Sequence, residues 1–430
     1  MPATAARPGR AGVTSVPVRR SRLIRLAGIA LPAARLSTPP LRTAGSHQRE
    51  QRPASWLELF FDLVFAGAIG QLAGALQDHP ALGTLARFAM LFTPIWWLWV
   101  QFTFYADRHE SDDAAHRAAF LSAMVLCVGL AASGPRALSG HTTAFTVAVI
   151  LLRGLQLLLY ARARRHLPAT RALYTRYLIF FGAAGILWLA SLTAGGMARY
   201  ALWGAALLID AVGALEMLPP SRPVPVNPWH LADRFQLLVL IVLGESVARL
   251  ISAAAIRAWS LPLAVVLVAA LLTLAALWWA WLTTADRDAL GTPNAMARFT
   301  AASLPIVGSI AAASTGLHIA ILAAHNGGAI GIGPRSALYG GVSVYLLASA
   351  ILPSGKLTRQ VRTARLASSL AAMGLVFMGA IVPPVYLVPA LTATLALGLA
   401  AEAHPKWLPA LDKVQTPAHP GKLTKKGSPA

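Results

Sequence analysis

Long apolar segments separated by short polar ones form the dominant pattern of this chain. Between Trp56 and Glu402 the apolar segments recur at lengths near the roughly 20 residues that cross a bilayer as a helix. Pro383 and Pro384 alone separate the last two, so eleven spans with a kinked or re-entrant final hairpin is the alternative. The pattern predicts twelve spans: 56–77, 82–105, 117–133, 142–161, 176–194, 199–218, 231–254, 260–283, 299–323, 336–353, 366–382 and 384–402.

Composition and charge support an all-α polytopic membrane protein. Of 430 residues, 56% are hydrophobic and 12% charged, and the formal net charge is +21. Such a charge would also suit nucleic-acid binding, but Lys and Arg are spread over the loops without interleaved stacking aromatics, which excludes it. These residues concentrate in the loops of one side of the twelve-span arrangement. By the positive-inside rule, both termini are expected in the cytoplasm, with the lipid bilayer as the main partner.

The segments outside the spans are basic or rich in proline. Residues 1–52 hold ten Arg and one acid, which predicts a disordered cytoplasmic arm that either sets topology or binds anionic lipid. Residues 403–430 form a basic cytoplasmic tail. Residues 219–230 contain too much proline for a helix and read as a linker between units at 53–218 and 231–402.

The two units repeat each other's landmarks. Asp107-Arg108 after span 2 recurs as Asp286-Arg287 after span 8. Because each unit has six spans, an even number, the repeats are predicted to be parallel. A Trp-Trp-x-Trp motif precedes both landmarks, and its tryptophans are predicted to be interfacial anchors or packing residues rather than a stacking site: Trp96, Trp97, Trp99, Trp278, Trp279 and Trp281.

Span 1 contains two acids in an otherwise apolar run. Glu58 and Asp62 are four residues apart, so a helix places both on one face. Asp62 lies roughly 9 Å inside the helix start at the standard rise of 1.5 Å per residue. A charge at that depth against lipid is costly, so this face should meet protein or water. The pair is either an ion or proton site or a structural partner of an Arg or Trp on a neighbouring helix.

Span 7 has its own deep acid. Glu245 lies between Gly244 and Ser246, and Arg249 follows four residues later. This spacing suits an ion pair within the helix. The alternative is a substrate or cation ligand beside a close helix contact at Gly244. Asp62 and Glu245 together would give one buried acid from each unit, at different depths.

Other charged residues are candidates for structural ion pairs. Asp233 and Arg234, near the cytoplasmic edge of span 7, would pair locally. Arg153, in the middle of span 4, needs a carboxylate inside the bundle, and Asp210, Asp62 and Glu245 are the candidates.

Catalytic and metal-binding signatures do not occur. The loop 107–116 holds four acids and two His in an order that matches no metal motif. Cys127 is the single cysteine, and no phosphate-binding loop, HExxH motif or nucleophile elbow appears. No metal, no cofactor and no enzymatic activity are therefore predicted.

The residues 57–65, the Trp-Trp-x-Trp motif and the segments 230–235 and 242–246 resemble the bacterial low temperature requirement A (LtrA) family. The resemblance runs from about Trp56 to Glu402 and implies a multi-pass plasma-membrane protein linked to growth in the cold. It departs at Asp233, where Glu is expected, and at the missing acid after Trp281. By the same resemblance the functional positions are Glu58, Phe61, Asp62, His230, Arg234, Gly244, Glu245 and Ser246.

Two functions follow. The first is a transporter or channel that carries a cation, proton or small solute along a pathway of Glu58, Asp62, Gly244, Glu245 and Ser246. The second is a non-transporting membrane or lipid-adaptation factor, with the acids as structural ion-pair partners. A membrane enzyme is disfavoured because no nucleophile can be paired with a base. The oligomeric state does not follow from the sequence.

Overall fold

A computed structural model describes residues 54–109, 113–216, 226–324 and 328–403. The basic arm, the basic tail and most of the proline-rich linker lie outside these residues. The described chain is helical and has no strand, which confirms the all-α fold class.

Twelve helices make up the described part of the chain, close to the segments that the apolar pattern marks. The tenth, α10 (332–350), contains a π-helical turn, Ser336–Gly340, between Ile332–Arg335 and Gly341–Ala350. The others are α1 Trp56–Ala75, α2 Leu82–Arg108, α3 Ala114–Leu138, α4 Thr143–His166, α5 Arg171–Ala190, α6 Gly196–Glu216, α7 Pro228–Ala255, α8 Leu261–Thr284, α9 Pro293–Ala323, α11 Arg359–Met378 and α12 Pro384–Ala403.

Nine of the helices in the described residues are long and apolar enough to cross a membrane, and α2, α6 and α10 are the remaining three. Both helices of the final hairpin, α11 and α12, are among the nine, at 20 residues each. Each is thus long enough for a complete span, and whether both cross the membrane stays a prediction. The first helix of the hairpin ends at Met378, and Pro384 is the first residue of the second, a position that suits proline.

The starts of α1 and α7 are fixed by local hydrogen bonds that place polar residues near each helix end. Ser55 caps α1: its hydroxyl accepts from the Glu58 amide at 3.3 Å, and the Glu58 carboxylate accepts from the Ser55 amide at 2.7 Å. This reciprocal capping box satisfies two amides that the helix leaves unpaired. In α7, Asn227 accepts from the amides of Trp229 and His230, and Pro228 is the first helical residue.

Helix packing follows the same order in the two units. In the first, α1 packs against α3, α3 against α4, α4 against α5 and α5 against α6. In the second, α7 packs against α9, α9 against α10, α10 against α11 and α11 against α12. The units meet along α1 and α7, and α9 is the most buried of the nine candidate spans. The internal repeat and the orientation of the termini stay predictions.

Candidate functional site

Asp62 is the centre of the contact between α1 and α7. Its side chain is fully buried. Arg234 of α7 donates from Nε to Oδ2 at 2.8 Å and from Nη2 to Oδ1 at 2.6 Å, and Trp99 of α2 donates from Nε1 to Oδ1 at 2.7 Å. Two parallel charge-assisted hydrogen bonds fix both distance and orientation. One carboxylate therefore joins three helices from both units.

Three more buried side chains extend this contact. Glu58 Oε1 lies 3.3 Å from Arg234 Nη1 and 3.6 Å from His230 Nε2. His230 Nδ1 lies 3.0 Å from Asp107 Oδ1, at the end of α2. We call Glu58, Asp62, Asp107, His230 and Arg234 the interhelical charge cluster. It contains three carboxylates, one guanidinium and one imidazole, so its charge depends on the protonation of His230.

The two acids of span 1 share one helix face, as their spacing predicts, and both contact Arg234. The expectation that Asp233 and Arg234 pair with each other is wrong. Arg234 binds the acids of α1, whereas Asp233 forms an ion pair with Arg287. The Arg287 guanidinium also lies 5.9 Å from the ring centroid of Trp229. Neighbouring residues on a helix point in different directions, which explains the separate partners.

Trp99 has a role that its motif did not reveal. The motif predicts an interfacial or packing residue, but its indole N–H donates to Asp62 and its ring packs edge-on against Phe235, with centroids 4.9 Å apart. Trp281, the corresponding residue in α8, is also buried and packs on Phe299, with centroids 5.9 Å apart. Of the others, Trp96 is buried, Trp97 is partly buried, and Trp278 and Trp279 are exposed.

Glu245 lies farther along the same contact between α1 and α7. Its Oε1 is 3.4 Å from Arg249 Nη2, the ion pair within the helix that the spacing predicts. Arg249 also donates to the Gly70 carbonyl of α1. The Glu245 side chain is 42% exposed, so the expectation of a buried acid from each unit is wrong for this residue.

The close helix contact expected at Gly244 is not formed there. A Cβ added to Gly244 would meet nothing within 4 Å. A Cβ added to Gly70 would lie 2.7 Å from the Glu245 side chain, and one on Gly74 3.0 Å from Arg249. The small residues that leave room for the α7 side chains are therefore Gly70 and Gly74 of α1. Ser246 is buried and donates to its own helix, at the Val242 carbonyl.

Asp62 and Glu245 do not face each other. Asp62 and Gly70, which touches Glu245, are eight residues apart on α1, or about 12 Å at the helical rise of 1.5 Å per residue. The two acids thus occupy separate positions on one helix contact. His318 of α9 lies near the second position, with Nδ1 3.1 Å from the Arg249 carbonyl.

Arg153 finds its carboxylate within the first unit. Its Nη1 and Nη2 bind the two oxygens of Asp210 at 2.8 and 2.5 Å, and Nη1 also donates to Gln101 Oε1 at 3.3 Å. Both charged residues are buried. The sequence allows three carboxylates as partners of Arg153, and in the structure the partner is Asp210.

The described residues at the end of α2 show no metal site, and residues 110–112 of the following loop lie outside the described part of the chain. Among the residues that the structure describes, no group of three or more His, Cys, Asp or Glu is placed to hold a metal ion. His109, just past α2, is buried between the Tyr105 carbonyl and the Tyr174 hydroxyl, at 2.9 and 3.0 Å. Burial lowers the pKa of this imidazole to about 3, so it is neutral at physiological pH.

The sequence profile of the family described as bacterial low temperature requirement A protein (LtrA) matches residues 53–401. The chain belongs to the LtrA family. The match includes the interhelical charge cluster and Glu245 of this LtrA chain, and it confirms the resemblance that the sequence motifs indicated.

A relative of this LtrA protein is an uncharacterized protein of Rhizobium meliloti (strain 1021). The two are 30% identical over 207 residues, which is 46% of this chain and 50% of the relative. The alignment thus spans about half the length of each protein. No solved structure matches the chain.

Proposed function

We propose that this LtrA protein is a transporter or channel of the plasma membrane that moves a cation, a proton or a small solute. The supporting observation is the interhelical charge cluster at the contact between the two six-helix units. Charged groups are rare inside membrane-spanning bundles, and where they occur they commonly mark ion or proton pathways.

The chemistry of the cluster suits a cation or proton as the transported or coupling species. Three carboxylates surround one arginine and one histidine, and a neutral His230 leaves the five side chains with more negative than positive charge. A proton on Glu58 or His230, or a bound cation, would change the attraction between α1 and α7. Because these helices belong to different units, the same change would alter how the units hold together.

Glu245 is a second acid on the proposed pathway of the cation or proton. Its carboxylate is partly exposed on α7, and Arg249 holds it beside α1. An acid reachable from outside the bundle, about 12 Å along α1 from Asp62, would take a cation before or after the cluster. Gly70 and Gly74 give this part of α1 the open surface that the α7 side chains occupy.

The second function is a non-transporting membrane factor in which the cluster is a structural joint. Its support is that Asp62 is fully buried and accepts three hydrogen bonds. In this case the carboxylate would hold α1, α2 and α7 together without exchanging a cation.

Ion flux through liposomes distinguishes the two functions. The purified protein is reconstituted, and proton, Na⁺ and K⁺ fluxes are compared for the native protein, Asp62→Asn and Glu245→Gln. Asp210→Asn is the matched control, because Asp210 is an equally buried acid with a bidentate arginine, but within one unit. Transport predicts native flux, a strong loss in Asp62→Asn and Glu245→Gln, and retained flux in the control.

The structural function predicts a different result. The native protein would give no flux above empty liposomes, or folded Asp62→Asn and Glu245→Gln would carry the same flux as the native protein. Either outcome sinks the transporter proposal. A loss of flux that follows thermal stability equally in Asp62→Asn and Asp210→Asn also counts against it, since any broken buried pair would then have the same effect.

A further inference from the structure

A cavity of about 160 Å³ lies between helices of both units, and no residue of the interhelical charge cluster lines it. Small residues on α6 and α9, Ala211, Ala297 and Ala301, form part of its wall. Aromatic side chains of α2, α4 and α5 form most of the rest: Trp97, Phe104, Tyr160, Tyr177 and Phe181. An apolar molecule would therefore be in contact with aromatic rings on several sides.

Arg108 places a positive charge in this wall. Its side chain is buried, its Nη1 donates to the Tyr177 hydroxyl, and its guanidinium carbon lies 5.2 Å from the Tyr177 ring centroid. No carboxylate in the described part of the chain forms an ion pair with it. Arg153 and Arg234, in contrast, each bind an aspartate with two hydrogen bonds. A buried cation without a counter-charge is unfavourable in a protein interior.

Hydrogen-bond donors also lack partners around the cavity. Arg108 Nε and Trp97 Nε1 are buried and have no acceptor among the described residues. Gln101 is already engaged, because its Oε1 accepts from Arg153 and its NH₂ group interacts with the Asp210 carboxylate. Thr300 Oγ1 is also part of the wall, and it has no hydrogen-bond partner among the residues that the structure describes. A wall with surplus N–H donors and one guanidinium calls for an acceptor that carries negative charge.

We propose that this cavity binds a small apolar monocarboxylate. The carboxylate takes hydrogen bonds from Arg108 and Trp97, and the apolar body lies among the aromatic rings. A dry cavity of about 150 Å³ accommodates benzene, so a molecule of benzoate size sets the scale. A cationic ligand is disfavoured because Arg108 repels it and already occupies the Tyr177 ring. The proposal does not depend on transport, because it concerns binding alone.

Equilibrium dialysis of radiolabelled benzoate against the purified full-length protein tests this site. Loss of a charge-assisted hydrogen bond weakens binding by about ten- to a hundredfold, and this is the effect expected for Arg108→Gln. Ala301→Leu fills the cavity without changing its charge and is expected to weaken binding by a similar factor. Arg335→Gln is the matched control: Arg335 is buried, has unpartnered nitrogens among the described residues, and does not line the cavity.

Competition by benzyl alcohol and benzyltrimethylammonium then identifies the ligand chemistry. Both are expected to displace benzoate much more weakly than unlabelled benzoate does. The proposal is overturned if the native protein shows no saturable benzoate binding, if either competitor matches benzoate, or if Ala301→Leu binds as the native protein does. If Arg108→Gln does not fold, Ala301→Leu and the competitors still decide.

Discussion

At the scale of single residues, partners are decided by side-chain direction more than by sequence distance. Glu58 and Asp62 were predicted on one face, and both contact Arg234, 172 positions from Asp62. Asp233, the immediate neighbour of Arg234, instead binds Arg287. Helical periodicity predicts the face of a helix on which a residue lies, but not which other helix packs against that face. For this reason the sequence proposed three acids for Arg153 and could not choose Asp210.

The hydrogen bond from Trp99 to Asp62 is expected to contribute to stability. Trp99→Phe removes the donor, and Trp96→Phe is the matched control, since Trp96 is equally buried but its N–H has no acceptor among the described residues. A hydrogen bond to a charged group contributes about 1.5–3 kcal/mol, so Trp99→Phe should lower the free energy of unfolding by about that much more than the control. Chemical unfolding in detergent measures this difference, and equal losses would contradict the assigned bond.

At the scale of helices, the apolar pattern locates each span but not its ends. It starts α9 at residue 299, whereas the helix begins at Pro293, after Thr292 caps it by accepting from the Ala295 amide. An apolar run marks the part of a helix that is suited to lipid or to the protein core. The polar first turn of the helix lies outside that run. The π-helical turn in α10 has no signature in the apolar pattern. It lies where Leu338 packs against Gly316 of α9.

The contact between α9 and α10 gives a second prediction. A Cβ on Gly316 would lie 2.6 Å from Leu338 Cβ and 2.8 Å from the Pro334 carbonyl oxygen, so Gly316→Ala forces the helices apart. Such overpacking typically costs about 1–3 kcal/mol. Gly244→Ala is the control, because it meets nothing within 4 Å and should gain up to about 1 kcal/mol from helix propensity. Thermal unfolding of both variants checks the opposite signs, and a neutral Gly316→Ala would refute the close contact.

At the scale of the whole molecule, the distribution of positive charge predicts which ends of the helices face the cytoplasm. The loop between α1 and α2 should be outside and the loop between α8 and α9 inside. Asp78 and Asp288 are exposed residues in these loops, and Cys127 is buried, so the native chain provides a quiet background for labelling. The repeat of landmarks is consistent with this arrangement.

Asp78→Cys and Asp288→Cys test the orientation with a membrane-impermeant maleimide. The reagent should label Asp78→Cys in intact cells and Asp288→Cys only after the membrane is permeabilised. The native chain serves as the unlabelled control. The reverse pattern would show that the orientation is opposite to the proposed one. Labelling of both residues in intact cells would show that the loop between α8 and α9 lies outside, against the prediction.

The bond between Asp62 and Arg234 also has a consequence for synthesis. Translation completes α1 long before it reaches α7, so both acids of α1 enter the membrane before the arginine that binds them exists. An aspartate at the centre of a helix disfavours insertion by about 2.5–3.5 kcal/mol, and Asp62, the seventh residue of α1, adds part of that cost. The first six helices should therefore remain loosely assembled until α7 arrives. If the two units are produced from separate genes, the first should accumulate only when the second is made beside it.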